Sequence, residues 1–561
     1  MANALLDFPE NRFALGRSEL KMSEEPLGLS ISGLIYDGLG NLPQFGIIGI
    51  RNGVIVSIGD EKMTSREHID ATGFAIAPGF IDVHTHSDIS LLHDGRGESK
   101  VFQGVTTEVT GNCSFSAFPI NQANKQIHSE FLEGIGDDPF PLEWSDLNGY
   151  REAIYKNGVS INIAPLVGHG TLRIAGMGLK EGAPTPEDLE RMGQLLRVAL
   201  EQGAFGMSTG LTYVPSRYAP FDELIYLCTV IKSKDRIYTS HARDYDILGE
   251  DQFLGSLKEA LSLARQTGVR VQYSHAAIND PKQWGRAQDW VDYFDSPDAK
   301  NLDVAFDVYP YDASSSSLTQ YLPGWVQAGG VDEMRARLSD PSIFSTAAQE
   351  LSLGWSAHKI PWFWDRVVIA RGNDLLGVEN GDSIEIAAKK LGMTPETLVL
   401  ELTRLGGNSV MVVLFYRTDE DMRVFARSKY SMICSDGSAF PFDQKGKLPH
   451  PRSFGASARA LGYLSRETGD MALEVVIYKM SGKAAAFFGI HDRGSIEVGK
   501  AADIVIFNPV TIKDQATFTN PAQPPVGIEY VFVNGQLVIN KGTQTDKRPG
   551  KVLDANPPTP K

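Results

Sequence analysis

Eight short apolar segments, each ending in a polar or glycine-rich loop, constrain the fold of this chain more than any other feature. They are residues 79–86, 106–113, 160–169, 203–210, 236–243, 270–276, 303–311 and 431–437. Helical patterns separate most of them, which is the arrangement of βα units around a parallel sheet. Eight such strands close a (β/α)8 barrel, so the sequence predicts an α/β fold of the TIM-barrel type.

The two ends of the chain share a different sequence pattern, in which short β-rich runs alternate with glycine turns. Asn52-Gly53 lies in the first such block and Asn534-Gly535 in the second, and this dipeptide between apolar runs is typical of a tight hairpin. We therefore predict one small β-sandwich domain built from both termini, with residues 29–78 as its first part and residues 491–561 as its second.

The rest of the chain divides around this composite domain. We predict that residues 1–28 form an N-terminal extension and that residues 79–490 form the barrel. The gap between the seventh and eighth segments is too long for one crossover. It therefore predicts an inserted lid subdomain at about residues 320–430, a kind of element that often closes over an active site.

Composition excludes several classes of protein. The net charge of −16, without long Lys/Arg runs, argues against binding to nucleic acid or to an anionic membrane surface. No apolar run approaches the roughly 18 residues of a spanning helix. Three cysteines cannot form a disulfide framework, and the first residues lack the apolar core of a signal peptide, so we expect a cytoplasmic protein. A small-molecule substrate is the expected partner, and a homo-oligomer is compatible with the sequence.

Six side chains that commonly bind metals lie at the carboxyl ends of five predicted barrel strands. They are His84, His86, Cys113, His241, His275 and Asp436. Residues two apart on a strand face the same side, so His84 and His86 can present both imidazoles to one ion. Because barrel enzymes do their chemistry at this end of the strands, the set predicts a site for one or two divalent metals.

Each of these residues also has a plain structural interpretation. A lone histidine or cysteine is more often a core residue, and Asp436 is also placed to cap a helix. Convergence of all six on one barrel mouth favours the metal site. Its chemistry would be metal-assisted hydrolysis, in which a metal lowers the pKa of water and Asp436 transfers the proton to the leaving nitrogen.

Longer motifs make the interpretation more specific. The stretches GFIDVHTHSD, QGVTTEVTGNCS, GHGTLR, GAFGMSTGLTYVPSRYA, SHARDY, DVYPYDASSS, HPRSFG and DRGSIEVGKAADIVIFNP all fall within a region from about residue 29 to residue 553. In these motifs the chain resembles the amidohydrolase superfamily and, within it, the N-acyl-D-amino-acid deacylases, also called D-aminoacylases. The resemblance implies hydrolysis of an N-acyl amide bond.

The resemblance also implies how the metals are held. Cys113, His241 and His275 would hold a tightly bound Zn²⁺, whereas His84, His86 and Asp436 would form a weaker second position with Asp436 as catalytic base. Many members of the superfamily use a carbamylated lysine as a bridging anion. Residues 203–231 contain no lysine, so the thiolate of Cys113 is the expected replacement.

For the substrate, the resemblance implies that Tyr309, Ser315 and Arg452 bind the carboxylate of the acylated amino acid. The family usually has a lysine two residues after the last metal histidine, and here that residue is Ala277. Loss of a charge-assisted contact costs roughly 1.5–3 kcal/mol. We therefore expect weak activity on simple N-acetyl-D-amino acids and a preference for a bulkier or less anionic substrate.

Three alternatives remain open from the sequence. The same site could hydrolyse a cyclic amide, a urea or a carbamate. The chain could be a non-catalytic relative that uses the fold for binding, since a fold alone does not determine function. Finally, Cys113 could act as a thiol nucleophile with His241 as its base.

Overall fold

The structure is a computed structural model, and it describes residues 27–59, 64–136, 138–243, 253–355 and 359–556. The predicted N-terminal extension, residues 1–28, lies outside the described residues except for its last two. The described strands are β1 (Leu27–Ile35), β2 (Gln44–Arg51), β3 (Val54–Gly59), β4 (Ser65–Pro78), β5 (Phe80–Asp82), β6 (Val105–Thr110), β7 (Asn162–Pro165), β8 (Val167–Gly168), β9 (Gly206–Gly210), β10 (Ile237–His241), β11 (Arg270–Tyr273), β12 (Val304–Val308), β13 (Ser314–Ser317), β14 (Val367–Arg371), β15 (Met411–Leu414), β16 (Ser431–Ile433), β17 (Ile504–Phe507), β18 (Ile528–Val533), β19 (Gln536–Asn540) and β20 (Thr543–Gln544).

The α-helices lie mostly between these strands. They are α1 (Ser90–His93), α2 (Glu98–Val101), α3 (Lys125–Leu132), α4 (Leu147–Asn157), α5 (His169–Met177), α6 (Pro186–Glu201), α7 (Phe221–Ser233), α8 (Gly255–Thr267), α9 (Ala287–Asp292), α10 (Gly324–Gln327), α11 (Val331–Leu338), α12 (Pro341–Ser352), α13 (Ile384–Leu391), α14 (Pro395–Gly406), α15 (Asp419–Arg427), α16 (Arg452–Arg459), α17 (Leu473–Lys479) and α18 (Gly482–Phe488). None of the helices in the described part of the chain has the length and apolar character needed to span a lipid bilayer.

The barrel strands are parallel and follow the order β5-β6-β7, then β8-β9-β10-β11-β12-β16. Only Leu166 separates β7 from β8. These two therefore form one interrupted strand, and the barrel has eight strands. A parallel bridge between Thr85 and Gly437 joins the carboxyl ends of the first and last barrel strands. The strands are almost wholly buried, as expected of a parallel sheet covered by helices. The predicted TIM-type fold is confirmed.

A second sheet combines strands from both ends of the chain in the order β20-β19-β18-β17-β4-β1-β2-β3. The two Asn-Gly dipeptides form the predicted hairpin turns, because Asn52 (φ 51°) and Asn534 (φ 49°) both have the left-handed conformation that such turns require. The turns also touch each other: a Cβ on Gly53 would lie 2.6 Å from the carbonyl oxygen of Asn534. Only glycine fits at this contact.

Beyond β20, the chain leaves this sheet and returns to the amino-terminal end of the barrel. The amide of Gly550 donates to the carbonyl of Val159, and the amide of Leu553 donates to that of Ile163. Val552 is 5% exposed and forms a parallel bridge with Ile163 in β7. This stretch joins the composite sheet to the barrel.

The segment between β12 and β16 has a core of its own. Its antiparallel sheet has the order β13-β15-β14, and helices α10 to α14 pack around it. Val367, Ile369 and Val412 on the sheet and Leu398 and Leu402 on α14 are completely buried. The segment reaches the barrel mouth through Ser315, Tyr321 and Tyr416, which line the same cavity as the predicted metal ligands.

Candidate metal centre

The six predicted metal ligands lie at or just beyond the carboxyl ends of barrel strands. His84 and His86 follow β5, and Cys113 follows β6. His241 ends β10, His275 follows β11 and Asp436 follows β16. All six are buried or nearly so, although five of them line the cavity at the barrel mouth. The structure therefore brings the six side chains together at one place.

Three of these residues have an unusual backbone conformation. Cys113 (φ 52°), His275 (φ 38°) and Asp436 (φ 52°) lie in the left-handed region, which is uncommon for residues other than glycine and which aspartate and histidine adopt more readily than cysteine. Such strain persists only where the surrounding structure imposes it, and it is concentrated at functional sites. Each of the three lies two or three residues beyond the end of its strand and lines the cavity at the barrel mouth.

Four of the six side chains form a compact group. His84, Cys113, His275 and Asp436 each offer one ligand atom, and these atoms all lie within 4.8 Å of one another. The Sγ atom of Cys113 is 3.2 Å from Nε2 of His84 and 3.5 Å from Nε2 of His275. Nε2 of His84 is 3.4 Å from Oδ1 of Asp436. One thiol, two imidazoles and a carboxylate are the ligand types that zinc prefers.

The other two histidines each touch one member of this group. Nδ1 of His241 is 3.0 Å from Nε2 of His275, and Nε2 of His86 is 3.1 Å from Oδ1 of Asp436. Nδ1 of His86 is buried and has no hydrogen-bond partner among the described residues. Cys113 thus lies between a pair formed by His241 and His275 and a set formed by His84, His86 and Asp436. This donor set can hold one or two divalent ions.

Three of the candidate ligands, His241, His275 and Asp436, are in the protonation state that binds a metal. Burial lowers the pKa of His241 to about 3 and, with His241 beside it, holds the pKa of His275 well below its usual value. Burial alone would raise the pKa of Asp436, but Arg452 and His84 hold it well below the usual range. Two neutral imidazoles and an ionised carboxylate are the forms that ligate a metal. Although burial lowers the pKa of His84, the neighbouring Cys113, Asp307 and Asp436 hold it well above its usual value, so this imidazole must lose a proton when a metal binds.

The alternative in which Cys113 is a nucleophile activated by His241 finds no support in this geometry. Nε2 of His241 contacts Oγ1 of Thr212 at 3.0 Å, and its other ring nitrogen faces His275 rather than the thiol. The base of this alternative is therefore not in contact with the thiol, as nucleophilic catalysis requires.

The sequence analysis did not identify Asp307, which holds two of the ligands in place. This completely buried residue of β12 lies 3.3 Å from Nδ1 of His84 and accepts the backbone N–H of His275 at 2.8 Å. A carboxylate behind a metal-binding histidine sets its tautomer and raises its basicity. An aspartate in the middle of the apolar segment 303–311 is the signal that could have revealed it.

A second buried network supports the turn that carries Cys113. Nδ1 of His169 is 2.9 Å from Oγ of Ser216, which in turn is 2.8 Å from Oγ of Ser114. Nε2 of His169 contacts Glu223 at 2.8 Å, and Glu223 is also paired with Arg173 at 2.5 Å. All of these side chains are essentially inaccessible to solvent. His169 therefore lies one layer behind the cavity and braces the residue next to Cys113.

The cavity above the ligands has a volume of about 460 Å³. The three predicted substrate contacts, Tyr309, Ser315 and Arg452, all line it. Nη1 of Arg452 pairs with Oδ2 of Asp436 at 2.7 Å, and its guanidinium carbon lies 4.7 Å from the centre of the Tyr309 ring. Ala277 also lines the cavity, so a side chain at this position would face a bound substrate.

A second arginine in the cavity was missed by the sequence analysis. Arg417 follows β15, and its guanidinium carbon lies 4.9 Å from the centre of the same Tyr309 ring. Nη1 donates to the hydroxyl of Tyr309, and Nε donates to Oδ1 of Asn279 at 2.9 Å. It comes from the long segment between β12 and β16, in which the sequence motifs pointed only to Tyr309 and Ser315 at the start of the segment.

Comparison with known proteins places this geometry in a family. The model of the amidohydrolase family matches residues 67–284 and 448–539. The first stretch contains five of the six candidate ligands, namely His84, His86, Cys113, His241 and His275. The chain belongs to the amidohydrolase family.

Individual members of this family are similar along nearly the whole chain. The D-aminoacylase of Alcaligenes xylosoxydans xylosoxydans is 32% identical over 531 residues, which cover 94% of this chain and 98% of the relative. The N-acyl-D-aspartate deacylase of the same organism is 33% identical over 521 residues, covering 92% and 93%. These relatives confirm the predicted resemblance to the deacylases.

A solved structure supports the same conclusion. The N-acyl-D-glutamate deacylase from Bordetella bronchiseptica was determined with zinc and a phosphonate inhibitor that mimics the tetrahedral intermediate of the reaction. It superimposes on this amidohydrolase with a TM-score of 0.79 at 31% identity, covering 94% of this chain and 100% of that one. The barrel and the accompanying β domain are therefore shared with a zinc-containing deacylase.

Proposed function

We propose that this amidohydrolase is a zinc-dependent deacylase of N-acyl-D-amino acids. The observation that carries the proposal is the group of His84, Cys113, His275 and Asp436, whose ligand atoms lie within 4.8 Å of one another at the mouth of the barrel. Relatives with about one third identity along nearly the whole chain are deacylases of this kind. The −16 charge and the three free cysteines fit a small-molecule enzyme of the cytoplasm.

The six ligands would divide into two metal positions. Cys113, His241 and His275 would hold one tightly bound zinc ion, and His84, His86 and Asp436 would hold a weaker second ion. Cys113 is in contact with members of both sets, so its thiolate is placed to supply the negative charge that a carbamylated lysine supplies in other members of the superfamily. Zinc, when bound, activates water and polarises the scissile carbonyl group.

Asp436 would then transfer the proton from the attacking water to the leaving group. The carboxylate of Asp436 is ionised and in contact with His86 at 3.1 Å, so it can accept the proton of the attacking water. Asp436 also lines the cavity, where the nitrogen of the leaving amine must lie. Asp436 is thus placed to return the proton to that nitrogen, a transfer that contributes about 10²- to 10⁴-fold to rates.

Tyr309, Ser315 and Arg452 would orient the substrate. They lie together on one wall of the cavity, contributed by the end of β12, by β13 and by the start of α16. Arg452 forms an ion pair with Asp436, so it connects the place where a carboxylate would bind with the group that moves the proton. A substrate held here would present its acyl carbonyl to the metal ligands.

The decisive experiment compares N-acetyl-D-methionine, N-acetyl-L-methionine and a hydantoin on the purified enzyme, before and after chelation. We expect turnover of the D-amino-acid derivative, its loss on chelation and its recovery when zinc is added. The control variant Asp436→Asn should retain the metal-dependent thermal stability but lose about 10²- to 10⁴-fold in kcat. Faster turnover of the hydantoin, or full activity of the chelated enzyme, would refute the proposal.

A further inference from the structure

We propose that Arg417 binds the carboxylate of the substrate and takes the place of the cation that is missing at Ala277. This inference rests on the proposed deacylase function and names a specificity residue within the same site. Three observations support it. Arg417 lies over the ring of Tyr309, no carboxylate among the described residues pairs with it, and the residue that holds it in place lies beside Ala277.

The first observation is geometric. Arg417 and Arg452 come from distant parts of the chain, yet their guanidinium carbons lie 4.9 and 4.7 Å from the centre of the Tyr309 ring. All three side chains line the cavity that holds the metal ligands. Guanidinium groups bind carboxylates through paired hydrogen bonds, and an aromatic ring holds them flat for this purpose. Tyr309 thus organises two such groups at one end of the cavity.

The second observation concerns charge. Arg452 already pairs with a carboxylate, that of Asp436, at 2.7 Å. Arg417 instead bonds to two neutral groups, the hydroxyl of Tyr309 and the amide oxygen of Asn279. No carboxylate within the described ranges forms an ion pair with it. A partly buried cation without a counter-charge is costly, and an anionic ligand would relieve that cost.

The third observation links Arg417 with Ala277. Asn279, which accepts the N–H of Nε of Arg417, lies two residues after Ala277 on the loop that follows β11. Both Ala277 and Asn279 line the cavity. A lysine at position 277 and an arginine at position 417 would therefore bring their charges to the same part of the cavity from different elements. This arrangement argues against our expectation of a less anionic substrate.

The test uses a pair of substrates that differ only in charge, N-acetyl-D-methionine and its carboxamide, with the full-length zinc-loaded enzyme. For Arg417→Gln we expect the KM for the acid to rise about 10- to 100-fold, the size of a lost charge-assisted contact. The kcat for the acid and the KM for the carboxamide should each change by less than about 3-fold.

Two further variants separate binding from a general structural effect. The double variant Arg417→Gln/Ala277→Lys should recover most of the lost affinity for the acid, because it returns a cation to the same part of the cavity. Arg366→Gln serves as a matched control, since the guanidinium carbon of Arg366 also lies over an aromatic ring, 5.2 Å from the centre of that of Phe363, but Arg366 is not among the described residues that line the cavity. This control should leave both KM values unchanged.

The outcomes distinguish this inference from the proposed function. A wild-type enzyme that is active on the acid, combined with an unchanged KM in Arg417→Gln, would overturn the role of Arg417 and leave the deacylase function intact. An equal rise in KM for the acid and the carboxamide would show that Arg417 only shapes the cavity, and would overturn the inference as well. A wild-type enzyme inactive on both substrates would refute the deacylase function itself.

Discussion

At the scale of single residues, the site depends on a few side chains that serve more than one purpose. Cys113 contacts His84 and His275 from a strained turn, and Asp307 contacts the side chain of His84 and the backbone of His275. Asp436 contacts His86 on one side and Arg452 on the other. Substituting any one of these residues therefore disturbs several contacts together.

The first prediction concerns Cys113. The variant Cys113→Ala should lose its zinc, because the only thiol in the ligand group supplies the charge between the two proposed metal positions. We expect elemental analysis to find near one tightly held zinc per chain in the wild type and very little in the variant. Cys228→Ala is the matched control, since Cys228 is completely buried on α7 away from the site. Retention of zinc by Cys113→Ala would contradict the proposed ligand set.

The second prediction concerns Asp307. The variant Asp307→Asn keeps the shape of the side chain but removes the charge behind His84, so the imidazole becomes a weaker and less well-oriented ligand. We expect the affinity for the weaker second zinc ion, measured by competition with a chelator, to fall about 10- to 100-fold. Asp303→Asn offers a control, since Asp303 lies in the same segment and pairs with Arg270 at the surface. Comparable effects of the two substitutions would argue against a specific role.

At the scale of elements, the strands position the ligands and the segments beside them hold those ligands in place. The turn after β6, which carries Cys113, is braced through Ser216 and His169 by α7, where Glu223 lies. Helix α3 packs nearby and contributes His128, a buried residue whose Nε2 accepts the backbone N–H of Asn121 at 3.2 Å. Since these groups are buried, their protonation is coupled to folding.

The third prediction follows from His128. Burial lowers the pKa of His128 to about 4. Between about pH 6.5 and pH 4, His128 is therefore protonated in the unfolded chain but neutral in the folded chain. Its contribution to stability is complete above about pH 6.5 and is lost as the pH falls towards 4, for a total of about 3 kcal/mol. His128→Gln should flatten this part of the pH profile of unfolding in urea, whereas the exposed His491→Gln should not. An unchanged slope in His128→Gln would count against this assignment.

The sequence could predict the eight barrel strands, the two hairpins and the convergence of the six candidate ligands because each depends on local patterns. Strand periodicity places His84 and His86 on one side, and Asn-Gly specifies a tight turn. The sequence could not identify Asp307 or Arg417, because their proposed roles depend on contacts between distant segments. For the same reason the sequence does not predict that Nε2 of His84 lies 3.2 Å from Sγ of Cys113.

At the scale of the whole molecule, the composite sheet and the barrel are joined by the last described stretch of the chain. After β20 this stretch returns to the barrel, where Val552 pairs with Ile163 and Arg236 donates to the carbonyl of Ala555 at 2.9 Å. The composite sheet itself needs β4 from one end and β17 from the other. The two ends of the chain thus stabilise each other and the middle.

The fourth prediction tests this coupling. Val552→Asp would place a charge at a 5% exposed position against the barrel, and we expect it to cost about 3 kcal/mol or more and to lower the midpoint of thermal unfolding. The control Val510→Asp changes a residue that is 73% exposed in the same part of the chain, and its effect should stay within about 0.5 kcal/mol. Equal stability of the two variants would show that the last stretch is dispensable.

The pairing of β4, near the start of the chain, with β17, near its end, has a consequence for how the protein is synthesised. On a ribosome β4 is synthesised long before β17, and the edge of β4 that β17 will cover stays open while the barrel is being translated. An open strand edge invites pairing with other chains. Chains that stop short of β17 would carry this edge uncovered, so incomplete translation products of this enzyme should be recognised by chaperones and proteases, whereas finished chains escape them.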